Sequence, residues 1–139
     1  MERVMGIDFG LKRIGIAVSD PMGVMAHPVA VINRETMEKD IQRITVIAKE
    51  YAVAKIVMGL PLNMDGTPGR LTQEFMSFSN RLKKDLLLPV EMIDERLTSY
   101  GADCMMIEHA DLSREKRKKI KDKIAAALIL EIYLSRNSQ

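Results

Sequence analysis

The sequence predicts an α/β domain built on a mixed five-stranded sheet, an antiparallel three-strand meander plus two parallel strands, with helices on both faces. Three observations predict it. Before Asn33 the chain holds three short apolar runs separated by turn formers. Beyond it, helical and strand periodicities alternate twice. The closing stretch Ile124–Leu134 is apolar nearly all the way round at helical spacing.

The first run, Arg3–Gly10 (RVMGIDFG), reads as a buried central strand. Alternation puts Val4, Gly6, Asp8 and Gly10 on one face and Met5, Ile7 and Phe9 on the other. A buried carboxylate is expensive unless a cation or a donor meets it. Glycines on both sides of Asp8, on its own face, predict open space there, which favours a metal or phosphate pocket over a structural role. After the turn at Gly10, Arg13–Ser19 (RIGIAVS) reads as a strand in a hairpin with the first. Asp20-Pro21-Met22-Gly23 is a further turn. Val24–Ile32 completes the meander, and Pro28 inside it argues for a sheet edge.

Thr36 or Asn33 can cap a helix over Met37–Tyr51, with Ile41, Ile44, Ile47 and Ala48 at helical spacing. Lys55–Gly59 is a fourth strand, and the helical crossover before it lets it lie parallel to the first. Residues 60–70, rich in turn formers and too long for a simple connector, read as a functional loop containing Asn63 and Asp65. A second helix over Leu71–Leu86 aligns Phe75, Phe78 and Leu82. Pro89–Asp94 is the fifth strand. A third helix is expected over Ser99–Ala110, and Ser113 caps the last. The chain reads as one domain over 1–139, without repeats or linkers. Ligand sites in such sheets fall near the carboxyl ends of the central parallel strands.

At 139 residues and 47% hydrophobic content the chain can bury a proper core. It shows no membrane-length apolar run and no signal-peptide pattern, and its one cysteine, Cys104, forms neither an internal disulfide nor a thiolate metal site alone. A cytoplasmic location is expected. The eleven methionines read as core filler. Net charge is only +2, but Ser113–Lys123 gathers Arg114, Lys116, Arg117, Lys118, Lys119, Lys121 and Lys123 against Glu115 and Asp122, leaving the rest of the chain acidic. Such a patch suits a polyanion, though a solvated helix face is an equally common reason for it.

Three acidic positions can converge. Asp8 lies on the first strand, and Asp94-Glu95 closes the fifth. Asp122 shares a helix face with Ala125, Ala126 and Ile129, where alanines allow close approach to the sheet. Carboxylates without a histidine or cysteine cluster suit hard cations such as Mg2+ or Mn2+. A pair of such ions can activate water against a phosphodiester, with the basic helix holding the backbone of the substrate. His27 and His109 read as surface or capping residues, and Cys104 as core.

Four blocks in order then resemble one family. Gly6-Ile7-Asp8-Phe9-Gly10 with Arg13-Ile14-Gly15-Ile16-Ala17 is similar to the opening of the YqgF family, small RNase H-like proteins akin to the RuvC resolvase. The resemblance continues through Val57–Gly66, Asp94–Ser99 and Lys121–Leu130. It implies an RNase H-like fold and a metal-dependent nuclease with Asp8, Glu95 and Asp122 as acidic residues. It also implies a role in maturing the 5′ end of precursor small-subunit ribosomal RNA (pre-16S rRNA), within ribosomal particles or free, with branched DNA as the alternative substrate. Strand parity puts Asp94, not Glu95, with Val90 and Met92, so the choice between those two acids is open at this level. RuvC-type resolvases carry a glutamate near the end of the fourth strand, where this chain has Gly59-Leu60-Pro61, and this weakens the junction-resolving reading.

Two other classes compete. Asp-x-Gly before a hairpin also opens sugar-kinase-like phosphotransferases, but those close two such domains round a nucleotide. A non-catalytic RNA-binding assembly factor would suit the basic helix equally well. It has no need of acids that repel phosphate.

Overall fold

Asp8 lies on the middle strand of the sheet, and that position follows from the chain order. The computed structural model describes residues 3–60, 71–94 and 114–137, with side chains described in these ranges except at 114–123 and 137. Its strands are β1 (Arg3–Phe9), β2 (Arg13–Ser19), β3 (Ala26–Asn33), β4 (Val53–Leu60) and β5 (Val90–Asp94). Its helices are α1 (Met37–Glu50), α2 (Thr72–Leu86) and α3 (Arg114–Asn137). The sheet order is β3-β2-β1-β4-β5. β1 pairs antiparallel with β2 and parallel with β4, β2 pairs antiparallel with β3, and β4 pairs parallel with β5. The expected mixed five-stranded sheet is present. The expected helix over 99–110 and the loop segment 61–70 lie outside the described residues.

Element ends differ from the sequence reading by a residue or two, for local reasons. β3 starts at Ala26 rather than Val24 because the preceding turn consumes Val24 and Met25. Their N–H groups donate to the Asp20 carboxylate at 3.0 and 3.3 Å, while Gly23, at φ 71°, donates to the Asp20 carbonyl. Those backbone donors, that of Val24 foremost, hold the Asp20 carboxyl below its ordinary value. Pro28 does fall on an edge strand, opposite Ala17, where the ladder shifts register. β4 starts at Val53 because that residue already pairs with Arg3. Of the two candidate caps for α1, Thr36 is used: its Oγ1 accepts from Lys39 N at 3.2 Å, whereas Asn33 ends β3.

The alternation of β1 separates two layers. Met5, Ile7 and Phe9 enter the larger core with Ile41 and Ile44 of α1 and Phe75, Phe78 and Leu82 of α2. Phe9 stacks at 4.7 Å from Phe78 and meets Phe75 edge-on at 6.3 Å. The other face takes α3 alone among the described helices. Ala126, Ala127, Leu130 and Leu134 pack with Ala17 and Ala26, and Ile129 packs with Val57 and Ile93.

Small side chains let α3 come very close. A Cβ at Gly6 would stand 2.7 Å from the Ala126 carbonyl oxygen and 2.8 Å from Leu130 Cβ. The helix runs antiparallel to β1. Its Ala126 and Leu130 lie over Gly6, while Tyr133, later in the helix, accepts a hydrogen bond from Lys55 Nζ at 2.9 Å, beside the Val4 level of the sheet. Lys55 also pairs with Glu91 at 2.9 Å. The Tyr133 hydroxyl first and Glu91 second raise the Lys55 ammonium above its ordinary value of 10.5.

Two measurements check this packing. Gly6→Ala forces α3 off the sheet, because the nearest obstacle is backbone rather than a flexible side chain. The expected cost is about 1–3 kcal/mol in urea unfolding, the range for overpacking a tight core. Lys55→Met tests the link between Lys55 and its two partners. A raised lysine pKa stabilises the fold fully below the unfolded value of 10.5 and stops doing so as pH rises through the folded value. The variant is therefore less stable than the parent at neutral pH, and the gap narrows in strongly alkaline buffer.

Candidate active site

Asp8 is the next-to-last residue of β1, on the α3 face, and is 8% exposed. Its cross-strand partner on β2 is Gly15. On β4, Ile7 pairs with Met58, so the next level brings Gly59 beside Asp8. The carboxylate therefore has residues without side chains on both neighbouring strands. Water is largely excluded from it, and charges brought near it interact more strongly than they would in bulk solvent.

This corrects the sequence expectation about Gly6 and Gly10. Neither leaves open space beside Asp8. The room at Gly6 is filled by α3, and a Cβ at Gly10 would stand 2.7 Å from the Arg13 carbonyl, to which Gly10 N–H donates at 2.9 Å. One glycine admits a helix and the other closes a tight turn. The glycines that flank the carboxylate across the sheet are Gly15 and Gly59. The signal for them was present in two separate strands, and only the register joins it.

The fifth strand settles which face Asp94 shares. Val90 and Met92 pack on the α1–α2 core, whereas Ile93 packs with Ile129 on the α3 side. Asp94, paired with Leu60, continues the parity of Val90 and Met92, opposite to that of Asp8. Glu95, Asn63 and Asp65 lie outside the described residues. Arg114, Arg117, Lys118, Lys119, Lys121 and Asp122 belong to the first half of α3, and their side chains also lie outside them. Among the described residues no three His, Cys, Asp or Glu side chains group as metal ligands would. Asp8 is the one expected ligand whose side chain is described. A buried carboxylate at the carboxyl end of the central strand is an oxygen donor of the kind a hard divalent cation takes, so the residue present fits such an ion.

Sequence reasoning passed over Arg34, which follows β3. Its Nη1 donates to the Gly10 and Leu11 carbonyls, each at 3.0 Å, and its Nη2 to Glu74 Oε2 at 3.1 Å. The guanidinium lies 4.4 Å from the centre of the Phe9 ring. A single arginine after a strand carries no periodic signal, and its partners are more than twenty residues away in the chain.

The architecture is that of RNase H-like nucleases of the resolvase type. Thermus thermophilus RuvC in complex with a Holliday junction substrate superposes with a TM-score of 0.61 at 12% identity, over 99% of this chain and 98% of that one. The fowlpox virus resolvase bound to junction DNA gives 0.57 at 11% identity, over 99% of both chains. At such identities the likeness is one of fold. The family itself follows from sequence: the RuvX model, described as a Holliday junction resolvase, matches residues 2–136, and the chain belongs to this YqgF-type family. A relative from Endomicrobium trichonymphae is 48% identical over 134 residues, 96% of each chain. One from Streptococcus thermophilus is 46% identical over 136 residues, 96% of this chain and 98% of its own. Each bears the name "Putative pre-16S rRNA nuclease".

Proposed function

We propose that the protein is a divalent-metal-dependent nuclease that hydrolyses phosphodiester bonds in the 5′-end maturation of pre-16S ribosomal RNA, acting in the cytoplasm. The observation that carries this reading is the buried Asp8 at the carboxyl end of the central strand, flanked across the sheet by Gly15 and Gly59, in a chain 46–48% identical to relatives bearing that name over nearly its full length.

Asp8, Glu95 and Asp122 would hold Mg2+ or Mn2+. Backbone offsets support the pairing of Asp8 with Asp122. Asp122 is four residues ahead of Ala126, about 6 Å along a helix. Asp8 is two residues past Gly6, about 6.6 Å along a strand. Because α3 runs antiparallel to β1, both offsets point the same way from the Gly6–Ala126 contact. Parity supports Glu95 over Asp94, since the residue after Asp94 falls to the α3 face if the alternation continues. Bound there, a divalent cation supplies a water of lowered pKa and positive charge for the departing oxygen. The chain's own contribution is to hold three carboxylates in register and keep bulk water away from Asp8.

Arg114, Arg117, Lys118, Lys119 and Lys121 precede Asp122 on the same helix and would carry the RNA backbone past the acids. Contacts of that kind recognise charge and shape rather than sequence. The absence of an acid at Gly59-Leu60 argues against a RuvC-type junction site. Resolution of branched DNA is therefore the second reading, favoured by the description of the family model.

Cleavage assays on precursor ribosomal RNA and on four-way DNA junctions, side by side with each metal, test the proposal. Asp8→Asn, Glu95→Gln and Asp122→Asn each cut activity by roughly a hundredfold or more while the proteins stay folded. Asp94→Asn keeps it. Full activity in folded Asp8→Asn, or cleavage of junctions alone, contradicts the reading. In the binding arm, Lys118→Glu with Lys119→Glu weakens RNA affinity, and the log–log salt slope shrinks by about 0.7 per lost phosphate contact. An unchanged affinity across the salt series makes the patch incidental.

A further inference from the structure

We infer that Arg34 is a positioning residue for the site: its guanidinium fixes the β1–β2 turn that follows Asp8 and so sets where the Asp8 carboxylate stands. The kinetic consequence rests on the nuclease reading above. The structural consequence does not.

Arg34 meets four consecutive residues, the last of β1 and the three of the turn that follows it. The guanidinium covers the ring of Phe9, Nη1 donates to the carbonyls of Gly10 and Leu11, and the backbone N–H donates to the Lys12 carbonyl at 2.9 Å. The planar fork of arginine can serve two carbonyls and lie on a ring at once, which a lysine ammonium cannot do. The turn is also closed from within. Gly10 N–H is engaged with the Arg13 carbonyl, and no side chain fits at Gly10. Asp8 is separated from this turn by Phe9 alone, so rotation of the turn moves the strand end that carries the carboxylate.

The same guanidinium reaches Glu74 in the first turn of α2, just after the segment that bears Asn63 and Asp65. Arg34 is 23% exposed and Glu74 60%, so solvent screens that ion pair. The carbonyl bonds and the ring contact carry the effect, and Glu74 is secondary.

The test uses the full chain with Arg34→Met, Arg34→Lys and Glu74→Gln. Amide hydrogen exchange at Gly10 is compared with that at Ile56, whose N–H donates to the Pro89 carbonyl away from the turn. In Arg34→Met, exchange at Gly10 rises about tenfold or more while that at Ile56 stays within about twofold, the mark of a local opening. Arg34→Lys recovers part of the protection and Glu74→Gln stays near the parent. In the cleavage assay kcat of Arg34→Met falls by about tenfold to a hundredfold, the scale of a small misplacement, with KM and RNA affinity nearly unchanged. Unchanged exchange at Gly10 overturns the inference. So does an equal rise at Ile56, which means general loosening, or weaker RNA binding with a reduced salt slope, which makes Arg34 a phosphate contact. If the parent protein cleaves neither RNA nor junctions, the nuclease reading fails, and the exchange comparison still decides whether Arg34 holds the turn.

Discussion

The contact between Gly6 and α3 sets the geometry on which everything else depends. Where any other residue would place a Cβ, the Ala126 carbonyl and the Leu130 side chain occupy the space. Alanines at 17, 26, 126 and 127 continue the close fit on the β2–β3 side. A helix seated that deeply has little freedom to slide or lift, because the obstacle on both sides is backbone or a Cβ. Its axial position relative to β1 is thereby fixed, and with it the level at which each earlier residue of the helix passes the strand.

The two faces of the sheet divide the work. The α1–α2 side is the larger core, with Phe9, Phe75 and Phe78 in ring contact and Ile7, Ile14, Ile16, Ile44, Ile56 and Met58 fully buried. Arg34 lies over Phe9 of this core and donates to the Gly10 and Leu11 carbonyls of the turn after β1. On the α3 side small residues predominate, and the last described residue of β1 on that face is Asp8. A carboxylate in such a position needs a rigid frame, since its usefulness depends on where it stands more than on its chemistry.

Much of this was legible in the sequence, for reasons that can be named. Strand parity in Arg3–Phe9 follows from a strict alternation of residues, so the two faces of β1 could be assigned in advance and Val4 and Met5 fall where expected. The faces of α1 and α2 followed from Ile41, Ile44, Phe75, Phe78 and Leu82, and the edge position of β3 from Pro28. Element ends were less legible. The start of β3 depends on the Asp20 carboxylate capturing two N–H groups, a local competition that periodicity does not see. The roles of Gly6 and Gly10 were misread because a missing side chain looks the same in sequence whether it leaves room, admits a helix or closes a turn. Gly15, Gly59 and Arg34 were not singled out for the site, since each acquires its place only through register or through partners distant in the chain. That Asp94 falls on the face opposite to Asp8 turned on knowing that Val90 and Met92 pack against α1 and α2, something their own spacing does not contain.

The most direct test is a crystal of the protein grown with Mn2+ and measured for anomalous scattering. The account predicts a manganese peak within coordination distance, about 2 Å, of carboxylate oxygens from both Asp8 and Asp122, on the α3 side of β1. A peak bound elsewhere, or an Asp122 carboxylate pointing to solvent with no ion at Asp8, would contradict it.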